Sequence, residues 1–477
     1  MNGNKCTLVL FGSTGDLAWR KLYPALFQLH SKGQLEEEFQ LFAVGRKFDN
    51  RKDFLAYVRQ GVETFIKVPF SQGDWETFID RVHYKAMDFT DPKAFQALKD
   101  ALQRLDNDGP RLYYLATAAR FFAPIVAALQ DHGMHQSDHE GAWRRLVIEK
   151  PFGRDLETAR GLNDRIRQAF QESDIYRIDH YLGKEMTQNM MVLRKTNYVF
   201  KTLWHGAHLD HIQITVAEDM GIGTRGRYYD HAGALRDMVQ NHLLQVVALA
   251  TMEVDHGDSE GIRQAKVDVL RALKELNHED LHKTVVLGQY EGYGQEADVK
   301  PGSLTETFVA MKLEVDTPDM AGVPIYLRTG KELARKEAYA VVEFKSTGEC
   351  DGDRPNVPNR LIIKIQPMEG VEFRFNVKEP GNTNAVREVV MDFCQTCETS
   401  YNTPEAYESL LFDAMKGDPA RFTSWAEVEA SWLFIDQISK HCEDREDWVQ
   451  DYEKGSWGPQ AADELIAQDG RNWWVLT

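Results

Sequence analysis

The sequence predicts two domains of different construction, an N-terminal α/β domain of residues 1–178 and a larger α+β domain of residues 179–477. Apolar strands without alternation, separated by helical segments, predict a parallel sheet in the first domain, since both faces of such strands are covered. Strands in which apolar and polar residues alternate predict a mainly antiparallel sheet in the second domain. A chain of 477 residues is long enough for both.

The composition is typical of a soluble globular protein and restricts its partners. The formal net charge is −18, so we expect no binding to nucleic acid or to anionic membrane, both of which require a basic surface. No apolar run approaches the ~20 residues of a membrane-spanning helix. Five scattered cysteines favour a reducing, cytoplasmic location. A site for an anionic substrate must then be a local cluster of basic residues.

The first strand and the turn after it predict a nucleotide site. Residues 5–11 contain an uninterrupted apolar run, and residues 17–30 carry the apolar stripe of a helix. Between them, Gly12 and Gly15 permit a tight turn and close approach of the backbone to a diphosphate at the helix N-terminus. This pattern predicts a Rossmann-like dinucleotide-binding domain. We expect the cofactor to contact Gly12, Ser13, Thr14, Gly15, Asp16 and Leu17.

The end of the second strand indicates which dinucleotide is bound. Residues 41–44 form this strand, and Gly45, Arg46 and Lys47 follow it. An acidic residue here would bind the ribose 2′-hydroxyl of NAD, whereas an arginine accommodates the 2′-phosphate of NADP. Arg46 therefore favours NADP, although it does not exclude NAD.

Further strands at residues 111–116 and 145–148, with helices between them, extend the parallel sheet. Lys150 follows the last of these strands, at the edge where open α/β sheets bind ligands. Pro151 restricts the backbone of Lys150 to extended conformations. Beyond residue 178, alternating strands at residues 211–218, 309–315 and 372–378 mark the change to the antiparallel sheet. Residues 367–370 fit a hairpin turn.

Residues 177–184 concentrate polar chemistry in eight positions. His180 and Lys184 can both donate to an anion, and Tyr181 adds a hydroxyl. Asp179 can orient a base from elsewhere in the chain. This combination suits a small phosphorylated substrate, although a solvated charged turn is an equal alternative on these residues alone.

His242 lies on the apolar stripe of a helix predicted over residues 231–252. The residues by themselves favour a core histidine with one hydrogen bond. Its unperturbed pKa of about 6.5 also suits a general base.

Five segments, in the same order along the chain, resemble the glucose-6-phosphate dehydrogenase family. They are residues 12–18 (GSTGDLA), 20–22 (RKL), 149–153 (EKPFG), 179–185 (DHYLGKE) and 233–242 (GALRDMVQNH). Several long segments in order are far more specific than one glycine turn. The resemblance implies the same division into a coenzyme domain and an α+β domain, and assembly into dimers or tetramers through the sheet of the second domain.

The resemblance also implies an activity: oxidation of the anomeric hydroxyl of glucose 6-phosphate to 6-phosphogluconolactone, with hydride transfer to NADP, in the oxidative pentose phosphate pathway. His242 would be the general base, and Asp179 would hydrogen-bond its other ring nitrogen. The implied substrate contacts are His180, Tyr181, Lys184, Glu218, Asp237, Lys331, Lys336 and Lys21. The implied cofactor contacts, besides the glycine turn and Arg46, are Asp88, Phe89 and Lys150.

Two other functions remain open at this stage. One is an NADP-dependent dehydrogenase of another aldose or aldose phosphate. The other is a non-catalytic sugar-phosphate or nucleotide sensor, which would not need both Asp179 and His242. We expect no metal site: Cys394 and Cys397 form a lone Cys-x-x-Cys without two further zinc ligands nearby, and we interpret them as two buried thiols.

Overall fold

The computed structural model describes residues 5–66, 69–254, 257–276, 279–348, 350–351, 354–355, 357–381, 386–395, 397, 405–442 and 446–476. The helices are α1 (Tyr23–Ser31), α2 (Arg51–Phe65), α3 (Gln72–Ile79), α4 (Pro92–Asp106), α5 (Phe122–Asp131), α6 (Leu156–Arg167), α7 (Glu185–Thr196), α8 (Tyr198–Leu203), α9 (Gly226–Ala234), α10 (Leu244–Thr251), α11 (Ser259–Arg271), α12 (Ala406–Lys416), α13 (Trp425–Cys442) and α14 (Gln460–Ala467). Two π-helical stretches, Ala18–Leu22 and Leu235–Leu243, precede α1 and α10.

The strands are β1 (Thr7–Phe11), β2 (Gln40–Gly45), β3 (Val82–Ala86), β4 (Arg111–Leu115), β5 (Arg144–Ile148), β6 (Ile175–Arg177), β7 (Leu209–Ala217), β8 (Val285–Tyr290), β9 (Phe308–Leu313), β10 (Ile325–Gly330), β11 (Glu337–Phe344), β12 (Cys350–Asp351), β13 (Arg354–Pro355), β14 (Arg360–Gln366), β15 (Gly370–Lys378), β16 (Val386–Cys394) and β17 (Val449–Tyr452). The chain divides into two compact units, one of Met1–Gly183 and Pro404–Glu429, the other of Lys184–Thr403 and Ala430–Thr477.

The first unit contains a six-stranded sheet in the order β3-β2-β1-β4-β5-β6, with every described pair parallel. Strands β1 and β4 are buried throughout, as their uninterrupted apolar residues predict. The strand order reverses at β1, and open parallel sheets bind ligands at the carboxyl ends of the strands at such a switch point. The predicted parallel α/β domain is confirmed.

A segment distant in sequence completes this unit. Leu410, Leu411 and Ala414 of α12 lie in the same apolar core as Leu22 and Leu26. Lys32 forms an ion pair with Glu408 at 2.6 Å. The sequence did not anticipate that residues 404–429 pack with the first unit, because an amphipathic helix does not reveal which core it joins.

The second unit contains a nine-stranded sheet in the order β16-β15-β14-β11-β7-β10-β9-β8-β17. Most pairs are antiparallel, and β7–β10 and β8–β17 are parallel. The predicted α+β class is confirmed, as is the hairpin turn between β14 and β15. The alternation in β7 was expected to mark one covered face, but β7 is almost completely buried. Both faces of this central strand are covered, so its polar residues lie inside the unit.

No helix among the described residues is long and apolar enough to span a membrane.

Candidate active site

The glycine turn after β1 is held between the ends of β2 and β4. The N–H groups of Gly12 and Ser13 both donate to the carbonyl of Val44 at 3.1 Å. Gly12 has φ +83°, and a Cβ there would lie 2.3 Å from the carbonyl oxygen of Ala116. The backbone of Ala116 therefore leaves no room for a side chain at residue 12.

The helix after the turn begins as predicted, with one difference. Its first turn, Ala18–Leu22, is π-helical and continues directly into α1. The N–H of Gly15 donates to the carbonyl of Gly12 at 2.9 Å, which closes the turn. A dinucleotide fits this arrangement, because glycines at residues 12 and 15, ahead of a helix N-terminus, let the backbone approach a diphosphate closely.

Arg46 and Asp88 lie beside this turn, at the ends of β2 and β3. Arg46 Nη1 is 3.5 Å from Asp88 Oδ2, and both side chains are exposed. Hydrogen bonds from the backbone and hydroxyl of Thr90 lower the pKa of Asp88. Phe89 packs edge-on against Phe11, with ring centroids 5.8 Å apart. The guanidinium of Arg46 is thus available to an anion at the carboxyl end of β2.

Glu149, directly before Lys150 at the end of β5, has an unusual carboxyl. The hydroxyl of Tyr114 donates to its Oε1 at 2.6 Å. Desolvation raises the pKa of Glu149 to about 7, against the opposing effects of hydrogen bonds from Tyr114 and Tyr407 and of the charge of Lys150. The negative charge of Asp179 adds to the increase. The peptide bond between Lys150 and Pro151 is cis.

Asp179 is buried in the bend that follows β6. Its Oδ1 accepts the N–H of Tyr181 at 2.9 Å, and its carbonyl accepts the N–H of Leu182 at 3.0 Å. The rings of His180 and Tyr181 are 4.9 Å apart. Gly183 ends the bend where a Cβ would be 2.8 Å from the carbonyl oxygen of Ala406. These contacts hold the carboxylate in one orientation.

Glu218 and Lys331 meet in the second unit. Strands β7 and β10 are parallel neighbours with Ala217 opposite Gly330, so the next residue on each strand emerges at the same edge. Lys331 is 3% exposed and its Nζ forms an ion pair with Glu218. The same Nζ lies 5.1 Å from the ring centroid of Tyr229.

Asp237 and His242 belong to the π-helical stretch, and both are buried. The hydroxyl of Tyr228 donates to Asp237 Oδ1 at 3.1 Å. Desolvation, followed by the charge of Asp237, raises the pKa of Tyr228. The continuous helix predicted over residues 231–252 is wrong in detail: Gly233, at φ +66°, breaks α9 from the π-helical stretch. The carboxylate of Glu306 fills the position that a side chain at residue 233 would need.

The remaining predicted lysines have different surroundings. Lys184 Nζ donates to Gln366 Oε1 at 2.5 Å. Lys21 is half exposed and pairs with Glu405 at 2.8 Å. Lys336 is exposed and lines a shallow cavity with Lys364 and Trp474.

The residues of these clusters that were not predicted include Tyr114, Glu149, Tyr228 and Tyr229. Tyr228 and Tyr229 precede the segment 233–242 by only a few positions, and Glu149 lies next to Lys150, so proximity to a motif was a usable signal for these three. Tyr114 carried no such signal, since it reads as an apolar residue of a buried strand.

The interpretation of Cys394 and Cys397 as two buried thiols is wrong. Their sulfurs are joined in a disulfide, and Cys397 is exposed.

A parallel sheet with a glycine turn at its switch point, followed in the same chain by a mixed sheet, is typical of one class of proteins, the oxidoreductases that use a nicotinamide dinucleotide. Two family models match nearly the whole chain, the "Glucose-6-phosphate dehydrogenase, NAD binding domain" over residues 9–189 and the "Glucose-6-phosphate dehydrogenase, C-terminal domain" over residues 191–474. The chain belongs to the glucose-6-phosphate dehydrogenase family.

Individual relatives agree with this assignment. The chain is 42% identical to the glucose-6-phosphate 1-dehydrogenase of Bacillus subtilis (strain 168), with 99% of each chain covered. It is 41% identical to that of Aggregatibacter actinomycetemcomitans, covering 99% of this chain and 98% of the relative. A solved glucose-6-phosphate dehydrogenase in complex with its substrate glucose-6-phosphate matches with a TM-score of 0.90 at 31% identity, over 99% of both chains. The enzyme from Mycobacterium avium matches with a TM-score of 0.86 at 33% identity, over 100% of this chain and 99% of that one.

Proposed function

We propose that this protein oxidises the C1 hydroxyl of glucose 6-phosphate to 6-phosphogluconolactone and transfers the hydride to NADP, the first step of the oxidative pentose phosphate pathway. The observation that carries the proposal is the family membership together with the Glu218–Lys331 pair at adjacent strand ends. An acceptor and a donor side by side suit the alternating hydroxyl and oxygen groups of a sugar ring.

NADP is proposed to bind at the glycine turn. Residues 12–17 would hold the diphosphate, Arg46 the 2′-phosphate, and Asp88 and Phe89 the adenosine. Lys150 would contact both cofactor and substrate. When bound, the nicotinamide supplies the hydride acceptor. The Arg46 guanidinium is exposed, so the 2′-phosphate can reach it without a rearrangement of the protein. This exposure supports the role proposed for Arg46.

His242 is proposed as the general base. One nitrogen of its ring would take the proton of the C1 hydroxyl while the carbon loses hydride, and Asp179 would accept a hydrogen bond from the other nitrogen. Both side chains are nearly fully buried, at 1% and 3% exposed. Burial of a carboxylate is costly unless it is hydrogen-bonded or paired, which supports a specific task for Asp179.

The substrate phosphate is proposed to bind His180, Tyr181 and Lys184. A net charge of −18 repels an anionic sugar, so local donors must supply the attraction. Glu218 and Asp237 would accept hydrogen bonds from sugar hydroxyls, and Lys331 and Lys336 would face the sugar ring. Lys21 would bridge the substrate and the cofactor.

We also propose that the protein is cytoplasmic and at least a homodimer. Strand β16 is an edge of the nine-stranded sheet and exposes Val390, Met391 and Phe393. Exposed edges with apolar side chains are usually covered by a partner.

Initial rates test the proposal directly. Glucose 6-phosphate, galactose 6-phosphate and glucose would each be measured with NADP and with NAD. We expect the highest kcat/KM for glucose 6-phosphate with NADP. Preference for unphosphorylated glucose would contradict the phosphate site, and binding without turnover would favour a sensor.

A further inference from the structure

A disulfide lies at the end of β16, an edge strand of the nine-stranded sheet. Cys394 is the last residue of β16 and lies opposite Gly370 of β15. Its sulfur is bonded to that of Cys397, with the two Cα atoms 5.3 Å apart. The N–H of Gln395 donates to the carbonyl of Glu369 at 2.8 Å, so the residue after Cys394 is attached to the neighbouring hairpin. The pair is therefore part of a formed surface element at the end of an edge strand.

The two bonded cysteines differ in exposure. Cys397 is exposed, whereas Cys394 is intermediate between buried and exposed. Cys6 provides a contrast in the same chain: it is 3% exposed, and burial raises the pKa of its thiol to about 12. Thiol–disulfide exchange requires a thiolate to approach one sulfur in line with the bond. Of the two bonded cysteines, Cys397 is the more exposed and is therefore the more accessible to a bulky reagent.

The sulfur of Cys394 has a hydrogen-bond donor beside it. The backbone N–H of Cys397 donates to Cys394 Sγ at 3.1 Å. When the bond breaks with Cys394 as leaving group, this N–H faces the developing thiolate, and hydrogen bonding favours the charged form. The better leaving group is the sulfur with the more stable thiolate. The exposure of Cys397 and the hydrogen bond to Cys394 Sγ therefore both favour attack on Cys397, with Cys394 as the leaving group.

We propose that Cys394 and Cys397 form a reversible thiol–disulfide site that reacts with dithiol reductants, with Cys397 as the sulfur attacked. In the first step, a thiolate of the dithiol bonds to Cys397 Sγ, and the Cys394–Cys397 bond breaks to leave the Cys394 thiolate. In the second, the remaining thiol of the dithiol loses its proton and attacks the mixed disulfide, which releases the Cys397 thiolate. Two protons end on the cysteines, and the dithiol becomes a disulfide; the reverse reaction restores the pair.

Dithiothreitol tests reversibility on the whole folded protein. After incubation with dithiothreitol, the protein is alkylated and mapped by mass spectrometry, and a second sample is then returned to oxidised dithiothreitol. We expect Cys394 and Cys397 to become alkylated under native conditions and to be protected again after reoxidation. The C442S variant is the matched control and should retain this two-thiol change, while the C394S/C397S double variant should lose it. Cys6 should remain unlabelled throughout.

Two results would overturn the proposal. In one, the pair resists dithiothreitol in the folded protein and is reduced only after unfolding in urea, as a purely structural disulfide would be. In the other, both thiols stay free in oxidised dithiothreitol. The direction of attack is tested by brief exposure to 2-mercaptoethanol, a monothiol, followed by an acid quench that traps the mixed disulfide before a further thiol reacts with it. We expect its adduct on Cys397, and an adduct mainly on Cys394 would contradict the assignment of the attacked sulfur.

Discussion

Glu218 and Lys331 are 113 positions apart in sequence, yet they follow directly after two strands that run side by side in the same direction. Because Ala217 lies opposite Gly330, the two side chains leave the sheet at one edge and form an ion pair. Tyr452 strengthens the arrangement by donating to the carbonyl of Lys331 at 2.7 Å. The register of one parallel strand pair thus creates this part of the proposed sugar site.

Replacing Lys331 by methionine tests that part. The variant keeps the length of the side chain but loses the donor, and we expect kcat/KM for glucose 6-phosphate to fall about ten- to hundredfold, the usual range for one charged hydrogen bond. KM for the cofactor should change little. The matched control is K454M, whose lysine is half exposed and pairs with Glu332 at 3.6 Å. Equal losses in both variants would argue against a substrate contact.

Replacing His242 by asparagine tests the base. We expect substrate binding to remain near normal while kcat falls by about two to four powers of ten, the usual contribution of a general base. H208N is the control, since His208 is exposed in a turn before β7. Single-turnover rates, with dissociation constants from fluorescence titration, separate chemistry from binding. Unchanged turnover in H242N would eliminate this residue as the base.

Replacing Arg46 by alanine tests the cofactor assignment. The variant loses the proposed 2′-phosphate contact, so kcat/KM for NADP should fall about ten- to hundredfold, whereas NAD should be used almost as before. R59A serves for comparison, because Arg59 is a partly exposed arginine on α2 that pairs with Glu63 at 2.7 Å. If both cofactors lose equally in R46A, Arg46 does not recognise the 2′-phosphate.

Replacing Glu149 by glutamine tests its raised pKa. The folded protein binds the proton of Glu149 more tightly than the unfolded chain, since its pKa is about 7 rather than 4.5. Stability from this group is therefore fully present below pH 4.5 and is lost as the pH rises towards 7. The free energy of unfolding of the native protein should fall across this range, by at most ~3 kcal/mol, relative to E149Q.

Thermal midpoints measured at several pH values provide the comparison for Glu149. In the control variant E157Q, the substitution lies at an exposed position near the start of α6. Its thermal midpoint should change with pH in the same way as that of the native protein. Parallel curves for E149Q as well would show that the carboxyl titrates normally.

Local features of the sequence predicted much of the fold. Uninterrupted apolar residues predicted β1 and β4, and the glycine turn between a strand and a helix predicted a dinucleotide fold, because these patterns depend on neighbours in the chain. The break at Gly233 was not predicted. It depends on the carboxylate of Glu306, 73 positions later, which takes the space of a side chain.

The sequence by itself determined the two fold classes, the glycine turn and the family, since short-range periodicity and ordered motifs are written along the chain. Only the tertiary structure decided that Glu218 pairs with Lys331, that Tyr114 and Tyr407 surround Glu149, and that residues 404–429 complete the first unit. Each of these depends on strand register or on which core a helix joins. Such choices arise from long-range packing, which no local pattern of residues specifies.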